Sequence, residues 1–350
     1  MIDFQKYLIS ENATVKEALV VLNNLSGDIL TLIVTDQNGC MVGTLTDGDI
    51  RRNLVIGHTL DEKVKVVMHK NFRYVVDGNI DVEMIRKLRN TDVALLPSLN
   101  LDNQIVKVYN LKKRISVLPF DAVLMAGGKG ERLRPLTERI PKPLLKVGSK
   151  AIIDYNIDSL IHFGVENIYV TVNYLSEQIE KHFAKPVDGI KVECVKEPEF
   201  LGTIGSVKFI KEFKNDSVLV MNSDLFTNID YEDFYISFLK SNADILVASI
   251  PYSVNIPYGV LSMEGSEIFG IDEKPTFNHY VNAGIYLIKK NLLNLIPDNT
   301  FFDATDLIKE TFSKGFKVLN YPLTGYWIDI GKQEDYKKVQ ELAEHLQKRS

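Results

Sequence analysis

Between Phe120 and Leu145 a short apolar run, DAVLMAG, breaks into the glycines Gly127, Gly128 and Gly130. The run reads as a buried strand. Glycines directly after it leave the backbone bare, so successive N–H groups can turn inward onto an anion such as a triphosphate. Lys129 and Arg132 add positive charge. Lys142 stands between Pro141 and Pro143, which hold its backbone extended and stiff. The loop is not a Walker A motif, because no Gly-Lys-Ser/Thr follows at the right spacing. Nor is it a dinucleotide fingerprint, because Leu133 stands where GxGxxG needs its last glycine.

From Phe120 onward strands and helices alternate. ENIYVTVNY, IKVECVKE and SVLVMNSD read as strands. AIIDYNIDSLIHFG (closed by Gly164), SEQIEKHF and GTIGSVKFIKEF read as helices. This alternation predicts an α/β fold with a parallel sheet covered on both faces, and ligands beyond the carboxyl ends of its strands. The aromatic residues of FFDATDLI (301–308) are expected in the core. His162, His182 and His279 receive no role.

At 350 residues the chain exceeds what one core usually supports, so two domains are expected, divided near Pro119. The net charge is −5 and no basic stripe occurs, which argues against a nucleic-acid partner. Two distant cysteines, Cys40 and Cys194, do not make a disulfide framework or a zinc site. The first residues lack a signal-peptide pattern and no run of about 18 apolar residues is present. A cytoplasmic location and no membrane partner are the expectations.

The first ~118 residues carry a weak internal repeat. TVKEALVVLNNL predicts a helix with Thr14 as N-cap and Glu17 completing a capping box. LTLIVTD and CMVGTLT read as strands around a QNG turn, and DGDIRRNLV as a helix. About 63 residues on, VEMIRKLRN, VALLPSL and QIVKVYN repeat the order. Such paired units ahead of an enzyme resemble a CBS-domain pair, or Bateman module, an α+β domain with repeats about 1–58 and 59–118. In that family a Thr or Ser and an Asp three residues later meet a nucleotide, here Thr46 and Asp49. An adenine or guanine nucleotide is the implied ligand. The second repeat places Tyr109 and Lys112 there. The competing reading is that Asp49 only caps a helix beginning at Ile50.

GGKGERLRPLT followed by PKPLL strongly resembles the sugar-1-phosphate nucleotidyltransferases, and the resemblance covers about residues 120–342. It implies a Rossmann-like (GT-A-like) nucleotidyltransferase fold with a mixed, mainly parallel sheet over 119–350. It also implies a nucleoside triphosphate and a sugar 1-phosphate as substrates, with Mg²⁺ as cofactor. The nucleotide would meet Ala126, Gly127, Gly128, Lys129 and Gly130. It would also meet Gly202 and Thr203 of LGTIGSV, where Ile204 replaces the family's usual alanine. Arg132 and Lys142 would act on the phosphates. Asp224, preceded by Ser223 instead of the usual glycine, and Asp329 of GYWIDIGKQEDY would hold the metal. Tyr258 and Gly259 of YGVL, Glu273 and Lys274 of EKP, and Asn282 of VNAGIYLI would line the sugar phosphate. Losing the loop arginine, the lysines or either aspartate would instead mark a regulatory, non-catalytic member; all are present.

Glu197 precedes the LGT segment, where relatives read the base. A carboxylate offers only acceptors and suits the two adjacent donors of guanine, which points to GTP; the alternative is a solvated strand-end carboxylate. A CBS pair ahead of such a transferase also resembles the guanylyltransferases that make GDP-glucosamine for bacterial legionaminic-type acids. Glucosamine 1-phosphate is therefore the expected sugar, with mannose or heptose 1-phosphate as alternatives. A homo-oligomer is expected.

Overall fold

The computed structural model describes residues 3–347. The backbone divides into two compact units, one reaching to Pro119 and taking in residues 161–164, the other beginning at Phe120.

The first unit runs β1 (Leu8–Ser10), α1 (Val15–Asn24), β2 (Thr31–Thr35), β3 (Met41–Thr46), α2 (Asp47–Val55) and the single turn α3 (Val64–Val67). It continues through β4 (Val75–Val76), α4 (Val82–Leu88), β5 (Leu95–Leu99) and β6 (Ile105–Asn110). The strands form two three-stranded sheets of the same plan. β1 lies parallel to β2 and β2 antiparallel to β3, as β4 lies to β5 and β5 to β6. Thr14 and Glu17 form the expected capping box. Thr46 and Asp49 form a second one. The Thr46 hydroxyl donates to Asp49 Oδ2 at 2.7 Å, and the Asp49 amide donates back to it at 3.1 Å. Helix α2 thus starts at Asp47, not Ile50, with Asp49 inside its first turn. The repeat spacing is 64, from Thr31 to Leu95 and from Met41 to Ile105. In that register Thr46 and Asp49 correspond to Asn110 and Lys113, one position beyond the expected Tyr109 and Lys112. Asn110 Oδ1 accepts the Lys113 amide at 3.2 Å, the same local bond that Thr46 makes.

The remaining elements are β7 (Asp121–Ala126), β8 (Lys146–Val147), β9 (Lys150–Ala151), α5 (Ile152–His162), β10 (Asn167–Val172), α6 (Ser176–His182), β11 (Val192–Lys196), β12 (Ser217–Asn222), β13 (Leu225–Thr227) and α7 (Tyr231–Ser241). After them come β14 (Ile245–Asn255), β15 (Val260–Glu264), β16 (Glu267–Asp272), β17 (Thr276–Lys289), α8 (Ala304–Ser313), β18 (Val318–Pro322), β19 (Trp327–Asp329) and α9 (Gln333–Gln347). Seven strands form one sheet in the order β11-β10-β7-β12-β17-β14-β18. All neighbours are parallel except those of β17, which runs against β12 and β14. The sheet is mixed and mainly parallel, as the family resemblance implied, with β17 antiparallel where alternation alone predicted a parallel sheet. Val218 to Met221 of β12 are fully buried, as residues covered on both faces must be.

One expected helix is absent. Residues 202–213 make only a 3₁₀ stretch, Gly205–Phe209. Gly202 adopts φ +79°, a left-handed conformation that an α-helix cannot continue. Past Ile210 the backbone turns to the start of β7, where buried Asp121 accepts the amides of Lys214 and Asn215 at 2.6 and 3.2 Å. FFDATDLI also differs from expectation. Phe302 packs into the core, but Phe301 is exposed, edge-on to Phe200 with ring centroids 6.0 Å apart. Among the described residues no helix is long and apolar enough to cross a membrane.

Candidate active site

Beyond the carboxyl ends of β7 and β12 the chain encloses a cavity of about 590 Å³. Ala126, Gly127, Gly128, Lys129, Gly130, Arg132, Lys142, Glu197, Gly202, Thr203 and Asp224 all line it. These residues, 98 positions apart from Ala126 to Asp224, are gathered here because parallel strands end at the same edge of the sheet.

The glycine loop leaves β7 and closes at Gly130, which has φ +62°. The Thr137 hydroxyl donates to the Gly130 carbonyl at 2.8 Å, and the Leu133 amide does so at 3.0 Å. Leu133 is buried and anchors the loop from beneath. Gly127 has no room for a side chain, since a Cβ there would fall 2.2 Å from Glu197 Oε1. Among the described residues, the amides of 127–130 donate to no protein acceptor. Four such donors beside a cavity are available for an anion.

Asp224 lies two residues beyond β12, in the turn into β13, and not on the strand end. Ser223 supports that turn: its hydroxyl donates to the Met125 carbonyl at 2.7 Å, joining the ends of β12 and β7. Buried Asn156 on α5 donates to the Leu225 carbonyl at 2.9 Å. Strand β13 pairs antiparallel with β19, Leu225 opposite Asp329. The Lys142 ammonium donates to Asp224 Oδ2 and lies 3.8 Å from Asp329 Oδ1. Asp224 Oδ1 is buried without a hydrogen-bond partner. Burial pushes the Asp329 carboxyl above the usual carboxylate range. The neighbouring Asp224 adds to this, while Lys142 and Arg132 oppose it. Gly331 faces Arg132 so closely that a Cβ there would sit 3.3 Å from the guanidinium.

On the other wall Glu197 follows β11 and is only 2% exposed. Its Oε2 accepts the Leu201 amide at 3.3 Å. Burial pushes this carboxyl up to about 7, against the opposing Leu201 bond. It is therefore not a solvated strand-end group. Thr203 is held by its amide and its hydroxyl, both donating to Asp303 Oδ1 at 2.9 and 3.0 Å. Asp303 also caps α8.

The sugar-side set is not among these walls. Tyr258, Gly259, Glu273 and Lys274 cluster where β15 and β16 begin and end, with the Lys274 amide donating to the Tyr258 carbonyl at 3.3 Å. Asn282 turns along its own strand, donating to the Tyr286 hydroxyl at 2.8 Å and accepting the Gly284 amide at 2.9 Å. Sequence reading missed Thr137, Asn222, Asp303 and Gly331. Asn222 lines the cavity beside Gly284, at which a Cβ would fall 2.5 Å from Asn222 Nδ2. Thr137 was within reach as the closing residue of GGKGERLRPLT; Asp303 acts only through a contact across 100 positions.

A family model described as nucleotidyl transferase matches residues 121–345. A mannose-1-phosphate guanyltransferase of Yarrowia lipolytica is 31% identical over 226 residues, covering 61% of this chain and 61% of that protein. A D-glycero-alpha-D-manno-heptose 1-phosphate guanylyltransferase of Aneurinibacillus thermoaerophilus is 27% identical over 229 residues, covering 64% and 99%. A Bacillus anthracis protein crystallised with sucrose is 22% identical, with a TM-score of 0.52 over 64% of this chain and 95% of its own, and shares the fold. The chain spans between 52% and 61% of the length of the first curated relatives it matches.

Proposed function

The chain belongs to the nucleotidyl transferase family, and from that premise we propose that it joins a nucleoside triphosphate to a sugar 1-phosphate and releases pyrophosphate. The observation that carries this reading is one cavity lined by four unspent loop amides, Arg132, Lys142 and Asp224, with Asp329 beside it, 3.8 Å from the same Lys142 ammonium. An oxygen of the sugar phosphate attacks the α-phosphorus, and the bond to the β-phosphate oxygen breaks. The attacking phosphate is already largely ionised at pH 7, so no general base is needed. Catalysis is then positioning and charge neutralisation. The loop amides and Arg132 hold the departing phosphates. Lys142 supports the α-phosphate, while the sugar-phosphate role of Lys274, which stands outside the cavity walls, rests on the sequence resemblance.

Among the described residues no cluster of three or more His, Cys, Asp or Glu could hold a metal ion. Two carboxylates with substrate phosphates and waters nevertheless suit Mg²⁺, and the partnerless Asp224 Oδ1 is a free hard donor. Asp224 and Asp329 would hold the ion, which when bound neutralises charge on the α-phosphate.

Glu197 supports GTP, because its buried carboxylate offers acceptors to the N1–H and N2–H₂ donors of guanine. Both curated relatives named above are guanylyltransferases, of mannose 1-phosphate and of a heptose 1-phosphate. Glucosamine 1-phosphate rests on the sequence resemblance alone. A purely regulatory role is not favoured, since Arg132, Lys142 and both aspartates are in place. In the first unit, we assign Thr46 and Asp49 of the CBS-like pair to an adenine or guanine nucleotide. A thermal shift with AMP, ATP or GMP that Asp49→Ala leaves unchanged would remove that assignment.

The deciding test is a matrix of GTP, UTP, CTP and dTTP against glucosamine, mannose and heptose 1-phosphates, read by product mass. GDP-sugar is expected. A product with another base only would overturn the guanine assignment, and no product with any pair would overturn the transferase.

A further inference from the structure

Strands β14 and β17 outrun the main sheet. Their far halves pair only with each other, from Pro251 opposite Tyr280 to Asn255 opposite Thr276, and the β15–β16 hairpin sits between them in sequence. The register sorts the side chains of this arm by face, because directly opposed residues in an antiparallel pair point the same way. On the long ribbon, Tyr252, Val254 and Phe277 share one face with His279. The other face carries the hydrogen-bonded polar pairs Ser253 with Asn278 and Thr276 with Asn255, both at 2.7 Å, together with the opposed Pro251 and exposed Tyr280. On the hairpin, Leu261, Met263, Ile268 and Ile271 share one face, while Ser262, Glu264, Glu267 and Asp272 lie on the other. Phe269 is the bulged residue between them.

Such alternation is how a half-buried ribbon is written. Yet these seven apolar side chains and Phe269 remain between 40% and 71% exposed. A two-stranded ribbon is only marginally stable on its own. At roughly 100 Å² apiece they present on the order of 800 Å² of apolar surface, about one partner's share of a stable interface. The cover must be available whenever the chain is folded, which a transient partner is not. The charges on the hairpin's opposite face are acidic, which disfavours an anionic membrane or nucleic acid as the occupant.

We propose that the apolar face of this arm packs against a second copy of the chain. A two-fold axis meets the requirement directly, since the same patch then supplies both sides. This holds independently of the transferase reading, because its test does not measure turnover.

The experiment compares the wild type with Met263→Glu/Ile268→Glu by sedimentation velocity between 1 and about 50 μM, with circular dichroism to check folding. Hydrogen exchange of residues 250–255 and 276–281 is followed at both ends of that range. The expected result is a wild-type dimer whose arm amides slow in exchange as concentration rises, and a folded, monomeric variant. A monomeric wild type at 50 μM would overturn the proposal. So would a variant that dimerises like the wild type, or a dimer whose arm exchanges at the same rate at both concentrations. Should the variant unfold, the concentration dependence of exchange in the wild type decides alone.

Discussion

Leu225 stands opposite Asp329 in the β13–β19 ladder, and the Ile330 amide donates to the Asp224 carbonyl at 3.2 Å. Backbone pairing between two three-residue strands therefore brings the Asp224 and Asp329 carboxylates within reach of the one Lys142 ammonium. The same pairing fixes where a cation could lie between loop and sheet.

Asp224→Asn and Asp329→Asn keep the side-chain shape and remove the charge. Each is expected to lower pyrophosphate release by at least ~100-fold, the scale of losing one charge-stabilising group. Melting temperature should stay within a few degrees of wild type. Turnover at the wild-type rate in either variant would remove the cation-holding role.

Lys142→Met leaves two half-buried carboxylates facing each other without their cation. Breaking such a pair costs about 3 kcal/mol. Urea denaturation at pH 7 should show a loss of that order. The double variant Lys142→Met/Asp224→Asn should regain part of it, since the repulsion between the two carboxylates is then gone.

Glu197 makes stability depend on pH. Its carboxyl titrates near 7 in the folded chain, against an ordinary value of 4.5. Between those values the folded chain holds a proton that the unfolded chain has released. Stability is therefore highest below pH 4.5 on this account and falls as pH rises to about 7, by about 3 kcal/mol in all. Glu197→Gln should flatten that slope in denaturation curves collected across the window. Guanine requires the ionised form, so KM for GTP should fall as pH rises through 7 in the wild type and stay level in the variant.

Asp303→Ala removes the acceptor for both donors of Thr203 and the cap of α8. A lost cap costs about 1 kcal/mol of stability. With the Gly202–Thr203 segment released, KM for the triphosphate should rise by about tenfold, the equivalent of 1.4 kcal/mol, while kcat changes little. A fall in kcat at unchanged KM would place Asp303 in the chemistry instead.

The loop and wall assigned above to the nucleotide were legible in the chain because their information is local. Gly127, Gly128 and Gly130 sit in one loop, and bare backbone after a buried strand has few other uses. Glu197, Gly202 and Thr203 follow in a single segment that the fold carries to the same edge. The alternating pattern likewise foretold a parallel sheet, because burial on both faces demands unbroken apolar strands such as β12, and only the resemblance implied the antiparallel element that β17 supplies.

Long-range contact settled the rest. The sequence supplied two aspartates, but only the β13–β19 register brought both within reach of Lys142, and only burial raised Asp329 and Glu197. The expected helix at 202–213 gave way to a short 3₁₀ stretch behind Gly202, whose left-handed backbone an α-helix cannot continue. The spacing of the repeats was off by one until strand register fixed it at Asn110. The apolar face of the arm became visible only through the strand register and exposure of the folded chain. Local propensity is written residue by residue, whereas charge, burial and register belong to neighbours that the chain meets only after it has folded.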